Sequence, residues 1–353
     1  MLGLAAAPLA VLVFGASSGA PASPSCRWSV VASLGLQRVG FFGVAAGSPS
    51  SVWVIGTHWI YPNYNPYFTT ALIEYWNGRR LSAVSSPGAA SVAAIGRDAW
   101  TAGWTVGSLG KARKTPPTVH WKGRTSSRIP NPAGPGSTLN GIAMVSPQDV
   151  WVVGSAKDGR ALVLHWNGSK WSKVVDPPGL GTGGTVTAVA RIPETAGVWV
   201  DGTDDNANGF AARWTGSGWE TYTVGPGGGT SGSLAAASSS SAWIVGQKGN
   251  ATGTSTRDVI YHWDGSSWTE VPAPNPSPTH SSLSGVAARN DSDAWAVGYF
   301  KTGAKFHPLA VHWNGSKWSQ VTAPGSVLTA VTTVPGTKGV WAVGSGVIER
   351  YKC

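Results

Sequence analysis

The sequence predicts an all-β chain, a seven-bladed β-propeller whose last blade is closed by three C-terminal strands plus one N-terminal strand. Three observations predict it. A strand-like stretch ending in Trp-x-x-Gly recurs seven times, with its tryptophan at Trp53, Trp100, Trp151, Trp199, Trp243, Trp295 and Trp341, at spacings of 44 to 52 residues. A second tryptophan follows in each of the first six units, at Trp76, Trp121, Trp166, Trp214, Trp263 and Trp313, three of them in the setting HWNG or HWDG. Finally, the last unit is one strand short, and one strand is left over near the N terminus. A fixed period of this length marks an array of supersecondary units, and four short antiparallel strands per unit describe propeller blades.

Each unit supplies four β-prone runs, a to d in chain order, bounded by Gly, Pro, Asn, Asp and Ser. Strand a is a small-residue apolar segment such as LNGIAMV or LSGVAAR. Strand b carries the Trp-x-x-Gly motif, and strand c ends at the second tryptophan. An Asn-Gly or Asp-Gly turn follows in four of the first six units, because these residues tolerate the positive φ a strand reversal needs. Strand d opens on Trp171, Trp219, Trp268 and Trp318 in four units and on Leu81 in the first. No segment keeps a 3.6-residue apolar period, which argues against a helical solenoid.

The seventh unit has strand a near residues 327–334, strand b at Trp341 and strand c in VIERYKC, but no strand d. CRWSVV at the other end of the chain fits that place. Tyr351, Lys352, Cys353, Cys26, Arg27 and Trp28 then fill the six positions held elsewhere by Trp166 to Trp171. Both cysteines fall at adjacent positions of one turn, so a disulfide between Cys26 and Cys353 is expected. Adjacent Cα atoms lie about 3.8 Å apart, below the usual disulfide range, so the turn is expected to open slightly.

Residues 1–22 read as a signal peptide, an uncharged apolar run ending in the A-x-A site Ala20-Pro21-Ala22; it departs from the pattern in lacking an initial Lys or Arg, which leaves the start codon open. Residues 23–353 form one propeller, secreted and extracellular, where a disulfide persists. The net charge is +10 and the basic residues are scattered. That favours anionic cell surfaces and gives no continuous track for nucleic acid. A monomer is expected.

DAWAVG paired with VHWNGSKW resembles the repeats of secreted bacterial β-propellers often grouped with kelch or galactose-oxidase-like propellers, across the whole mature chain. The resemblance implies the fold and assigns no activity. The Trp-x-x-Gly strands end on a single glycine and not on the Gly-Gly doublet of kelch blades, WD40 endings are absent, and WDGSSW only faintly resembles the Asp-box turn of sialidases. No catalytic residue carries over.

Eighteen of the 20 tryptophans sit on repeat positions and are read as packing between blades. His120, His165, His262 and His312 precede the strand-c tryptophan and are read as buried histidines satisfied by neighbouring backbone. The seven a strands, expected at the axis, contain no Asp or Glu, so the axis offers no acid–base pair. His58, His280 and His307 belong to three separate connections and show no metal-site spacing.

In a four-stranded meander, a-to-b and c-to-d turns share one face, while b-to-c loops and d-to-a crossovers share the other. Irregular loops on a rigid scaffold are where binding residues concentrate. The first blade's THWIYPNYNPYFTT holds Trp59, Tyr61, Tyr64 and Tyr67, and the next blade's loop begins at Trp104. These five are the candidate ligand-binding residues, because exposed aromatic platforms stack on sugars or anchor proteins. A loop that folds over and buries its own rings fits the same residues equally well. VDGTDDNANG gathers Asp201, Asp204 and Asp205, oxygen ligands of the kind Ca²⁺ takes, although their spacing matches no defined calcium loop and a polar turn is the more ordinary reading. No other cofactor is expected. The function expected is a non-catalytic binding or scaffold propeller for glycan or an extracellular protein; the alternative is a carbohydrate-active hydrolase or lyase using Asp204, Asp205 and Glu74.

Overall fold

The computed structural model describes residues 26–33, 39–60, 68–85, 88–103, 114–225, 229–250, 254–277 and 279–353, the side chains of 59, 60, 68–70 and 229–231 excepted. Seven four-stranded antiparallel sheets form a seven-bladed β-propeller. Within each sheet the strands lie in the order a, b, c, d, and the seventh sheet places Arg27–Ser33 beside Val347–Lys352. Trp28 pairs with Tyr351 as Trp171 pairs with Trp166, which is the register the repeat alignment requires. Cys26 and Cys353 are bonded, with Cα atoms 3.9 Å apart. The expected opening of this turn is therefore almost absent: the bridge takes nearly the spacing of the peptide it replaces.

The apolar core is divided into seven clusters, one at each contact between neighbouring blades. Strand alternation explains the division, since successive residues point to opposite faces of a blade. Trp151 and Val153 face blade four, whereas Val150 and Val152 face blade two. Each strand-b tryptophan thus packs into the following blade, where it meets further rings. Trp199 lies 5.1 Å from Trp263 and 5.3 Å from Trp268, centroid to centroid, with the edge-to-face geometry aromatic pairs prefer.

Strand a is innermost, and six of the seven a strands carry a β-bulge at the same repeat position. A bulge re-aims one side chain. Here the extra residues are Phe42, Asn140, Thr187, Gly232, Ser284 and Thr329, and all six line a cavity of about 300 Å³ bordered by strand a of every blade.

Blades four and seven share one turn design. Thr195 N–H donates to Ile192 O and Thr337 N–H to Val334 O, each closing a turn with proline second. The third residue needs positive φ. Gly336 supplies it at 71°, but blade four uses Glu194 at 63°. Glu194→Gly is expected to stabilise the protein by up to about 1 kcal/mol, read as a rise in denaturation midpoint; a fall would show that the glutamate side chain contributes more than its backbone costs.

Candidate functional site

The repeat histidines are held differently from the expectation. His120, His165 and His312 meet side chains, not backbone: their Nε2 atoms lie 3.2, 2.9 and 3.2 Å from the carboxylates of Asp98, Asp149 and Asp293 at the head of strand b. His262 lies 3.2 Å from the Ser241 hydroxyl at the equivalent place. Each imidazole stacks on the strand-b tryptophan of its own blade, at centroid distances of 4.0 to 4.6 Å. Burial lowers the pKa of His262 below its ordinary value. Where glycine replaces the acid, in blades four and seven, arginine replaces histidine: Arg213 and Arg350 place their guanidinium groups 5.7 and 5.5 Å from Trp199 and Trp341. These units tie strand b to strand c, and their recurrence around the ring makes them structural.

The axial cavity is lined by uncharged residues alone. Behind it lies Asp201, fully buried on strand b of blade four. Its Oδ1 accepts from Thr187 Oγ1 at 3.2 Å and Ala188 N at 3.0 Å, so the carboxyl holds the bulge that turns Thr187 to the axis. Burial pushes its pKa up to about 7 against those two bonds.

The neighbouring acids have other partners. Asp204 accepts from the amides of Asn206 and Asn208 and from Asn208 Nδ2, bonds that hold its pKa below the usual range, the Asn208 side chain first. Asp205 reaches the crossover into its blade, accepting from Thr182 N at 3.0 Å and from Gly183 N. Asp201, Asp204 and Asp205 therefore serve a bulge, a turn and a crossover respectively. Among the described residues no three His, Cys, Asp or Glu side chains form a group that could hold a metal. Glu74 is half-buried on strand c of blade one, its pKa raised by burial, and is not brought to the blade-four acids.

Of the predicted aromatic platform, Trp59 lies on strand b of blade one, Ser51–Ile60, paired with Thr69. Tyr61, Tyr64, Tyr67 and Trp104 lie outside the described residues, as does the side chain of Trp59.

Two surface features escaped the sequence reading. On the turn face, the a-to-b turns of blades four, five and six border a depression of about 560 Å³, lined by Glu194, Thr195, Ser238, Ser239, Asn290 and Asp291 among others. On the opposite face, strands b and c of blade six, Asp293–Thr302 and Lys305–Trp313, run on past the repeat as a long hairpin. It carries Tyr299 against Phe306, centroids 5.5 Å apart, with Lys301 Nζ 5.4 Å from the Phe306 ring. Phe306 is 54% exposed. The signal was present as YFKTGAKF, an aromatic and basic run beyond the motif glycine, but it reads as strand continuation. No family model matches the chain, and no curated protein matches it.

Proposed function

We propose that this protein is an exported, non-catalytic binding or scaffold propeller that recognises extracellular or envelope glycan, or a protein partner, through the face bearing its b-to-c connections. The observation that carries the reading is the contrast between the two faces. On the b-to-c face the connections differ from blade to blade: two residues, Ser345 and Gly346, join the strands of blade seven, residues 156–160 join those of blade three, and in blade six both strands run on past the repeat as the aromatic hairpin. Rigid interblade packing beneath such irregular loops is the arrangement binding proteins use. The terminal disulfide and the apolar leader-like segment support export. Trp59, Tyr61, Tyr64, Tyr67 and Trp104 are part of the proposed surface, and the repeat resemblance to secreted propellers agrees with it.

A glycan array on the protein lacking residues 1–22, run beside a broad glycosidase assay, tests the reading. The expected result is binding without turnover. Trp59→Ala and Trp104→Ala should weaken that binding by about tenfold while leaving the denaturation midpoint unchanged. Turnover of any glycan overturns the non-catalytic reading, and silence towards every glycan removes the sugar as ligand.

A further inference from the structure

Blade seven is lower than both its neighbours on the b-to-c face. Its strand b stops at the motif glycine, Gly344, and strand c begins at Val347. Strand b of blade six continues for four residues past Gly298, to Thr302, and strand b of blade one for four past Gly56, to Ile60. At roughly 3.3 Å per residue each wall stands about 13 Å above the turn between them. Among the described residues the result is a saddle over blade seven.

Alternation fixes what the blade-six wall presents. Trp295 and Val297 pack against blade seven, so Tyr299 and Lys301 continue that face beyond the end of its sheet. Phe306, opposite Lys301 in the ladder, shares it. The wall is held in place: Lys301 N–H donates to His280 O at 2.9 Å, Ser277 Oγ donates to Lys301 O at 2.7 Å, and Phe300 stacks on His307 behind it. On the other wall His58 lies on the side of strand b that faces blade seven, in step with Val52 and Val54. No Asp or Glu occurs in residues 57–60, 299–308 or 345–346.

Phe306 packs on Tyr299 along one side only, and the ring is left 54% exposed with the Lys301 ammonium beside it, which packing within blade six does not require. We infer that the saddle binds an acidic glycan, a chain of uronate sugars, with a pyranose face on Phe306 and Tyr299 and a carboxylate at Lys301. This rests on the glycan reading above and names its charge class and its place. Apolar ring faces suit the C–H faces of a sugar, and the absence of carboxylates from both walls, in a protein of charge +10, suits a polyanion.

The test is a binding titration of the wild type, Phe306→Ala and Lys301→Glu against polygalacturonate, alginate and hyaluronate. Fully methyl-esterified polygalacturonate and vesicles of equal parts phosphatidylglycerol and phosphatidylcholine complete the panel. The inference expects the wild type to bind at least one polyuronate, to prefer polygalacturonate to its ester, and to ignore the vesicles. Each substitution should cost about tenfold or more in affinity with an unchanged denaturation midpoint. Binding to the acid polymers that neither substitution weakens overturns the inference and leaves the general glycan reading standing. Vesicle binding lost in the same variants overturns it in favour of a membrane surface. Silence towards all three polyuronates overturns it as well, and the glycan array then decides whether the broader reading falls too.

Discussion

Breaking the Cys26–Cys353 bridge, by reduction or by replacing both cysteines with serine, is expected to lower the unfolding free energy by up to about 5 to 6 kcal/mol. The two residues are 327 apart in sequence, and in the chain-entropy model a closed loop of that size restricts the unfolded ensemble by about this amount. The folded state explains why the loss is felt at one place. Every other strand d follows its strand c through a covalent turn, whereas Arg27–Ser33 meets Val347–Lys352 through the ladder, side-chain contacts and the disulfide. Without the bridge, strand d of blade seven is held by those pairs and by Trp28, whose ring lies 5.6 Å from Trp295 and 5.5 Å from Tyr351. Proteolysis of the reduced protein should therefore begin in the N-terminal strand. Equal denaturant midpoints for the oxidised and reduced protein, with the free thiols verified, would refute the clasp as a stabilising device.

The ring and its closure could be read from residues alone because each repeat repeats its packing. Trp151 and its equivalents recur since each fills the same gap between blades, and the spare strand at Trp28 could be matched to Trp171 because both meet the same partner. The six bulges were not legible. Phe42, Asn140, Thr187, Gly232, Ser284 and Thr329 share a position and no chemistry, since a residue facing the axial cavity is under no common packing demand. The histidine partners were legible in principle, because Asp98, Asp149 and Asp293 each stand two before a tryptophan whose blade has histidine, while Gly197 and Gly339 go with arginine. Comparing blades in pairs, not positions one at a time, reveals it. The blade-six hairpin is not legible in the residues because length past Gly298 counts only beside the truncated blade seven, a relation between neighbours in space.

Stability is expected to fall as pH rises from about 4 to about 8, and buried carboxyls carry the effect: Asp258 on strand c of blade five, ordinarily 3.8 and pushed up to about 6 by burial, adds to the two largest shifts, those of Asp201 and Glu349. Asp201 has an ordinary value of 3.8 and is pushed up to about 7 by burial, and Glu349, ordinarily 4.5, is also pushed up to about 7. Glu349 is fully buried on strand c of blade seven; the Gly325 amide is near enough to lower its pKa a little, yet neither oxygen accepts a hydrogen bond of normal geometry. The sign follows from proton counting. Below about pH 3 both groups are largely protonated whether the chain is folded or not, and the folded state keeps its full advantage. Between pH 4 and 7 the unfolded chain gives up these protons to ionise in water while the folded chain retains them, so stability is lost as pH rises. Shifts of this size correspond to about 4 kcal/mol for Asp201 and about 3 kcal/mol for Glu349. Asp293 works in the opposite sense, because burial is outweighed by His312 and Arg289, which lower its pKa, so its contribution fades in acid. The variants separate these effects. Glu349→Gln should match the wild type at pH 4 and exceed it by about 3 kcal/mol at pH 8. Asp201→Asn keeps an oxygen for Thr187 and Ala188 and should show the same pattern with a larger span. A difference between wild type and Glu349→Gln that stays constant across this range would mean that the carboxyl is ionised in the fold, with water or the Gly325 backbone solvating it. Blade seven would then gain its stability from that contact and from the disulfide together.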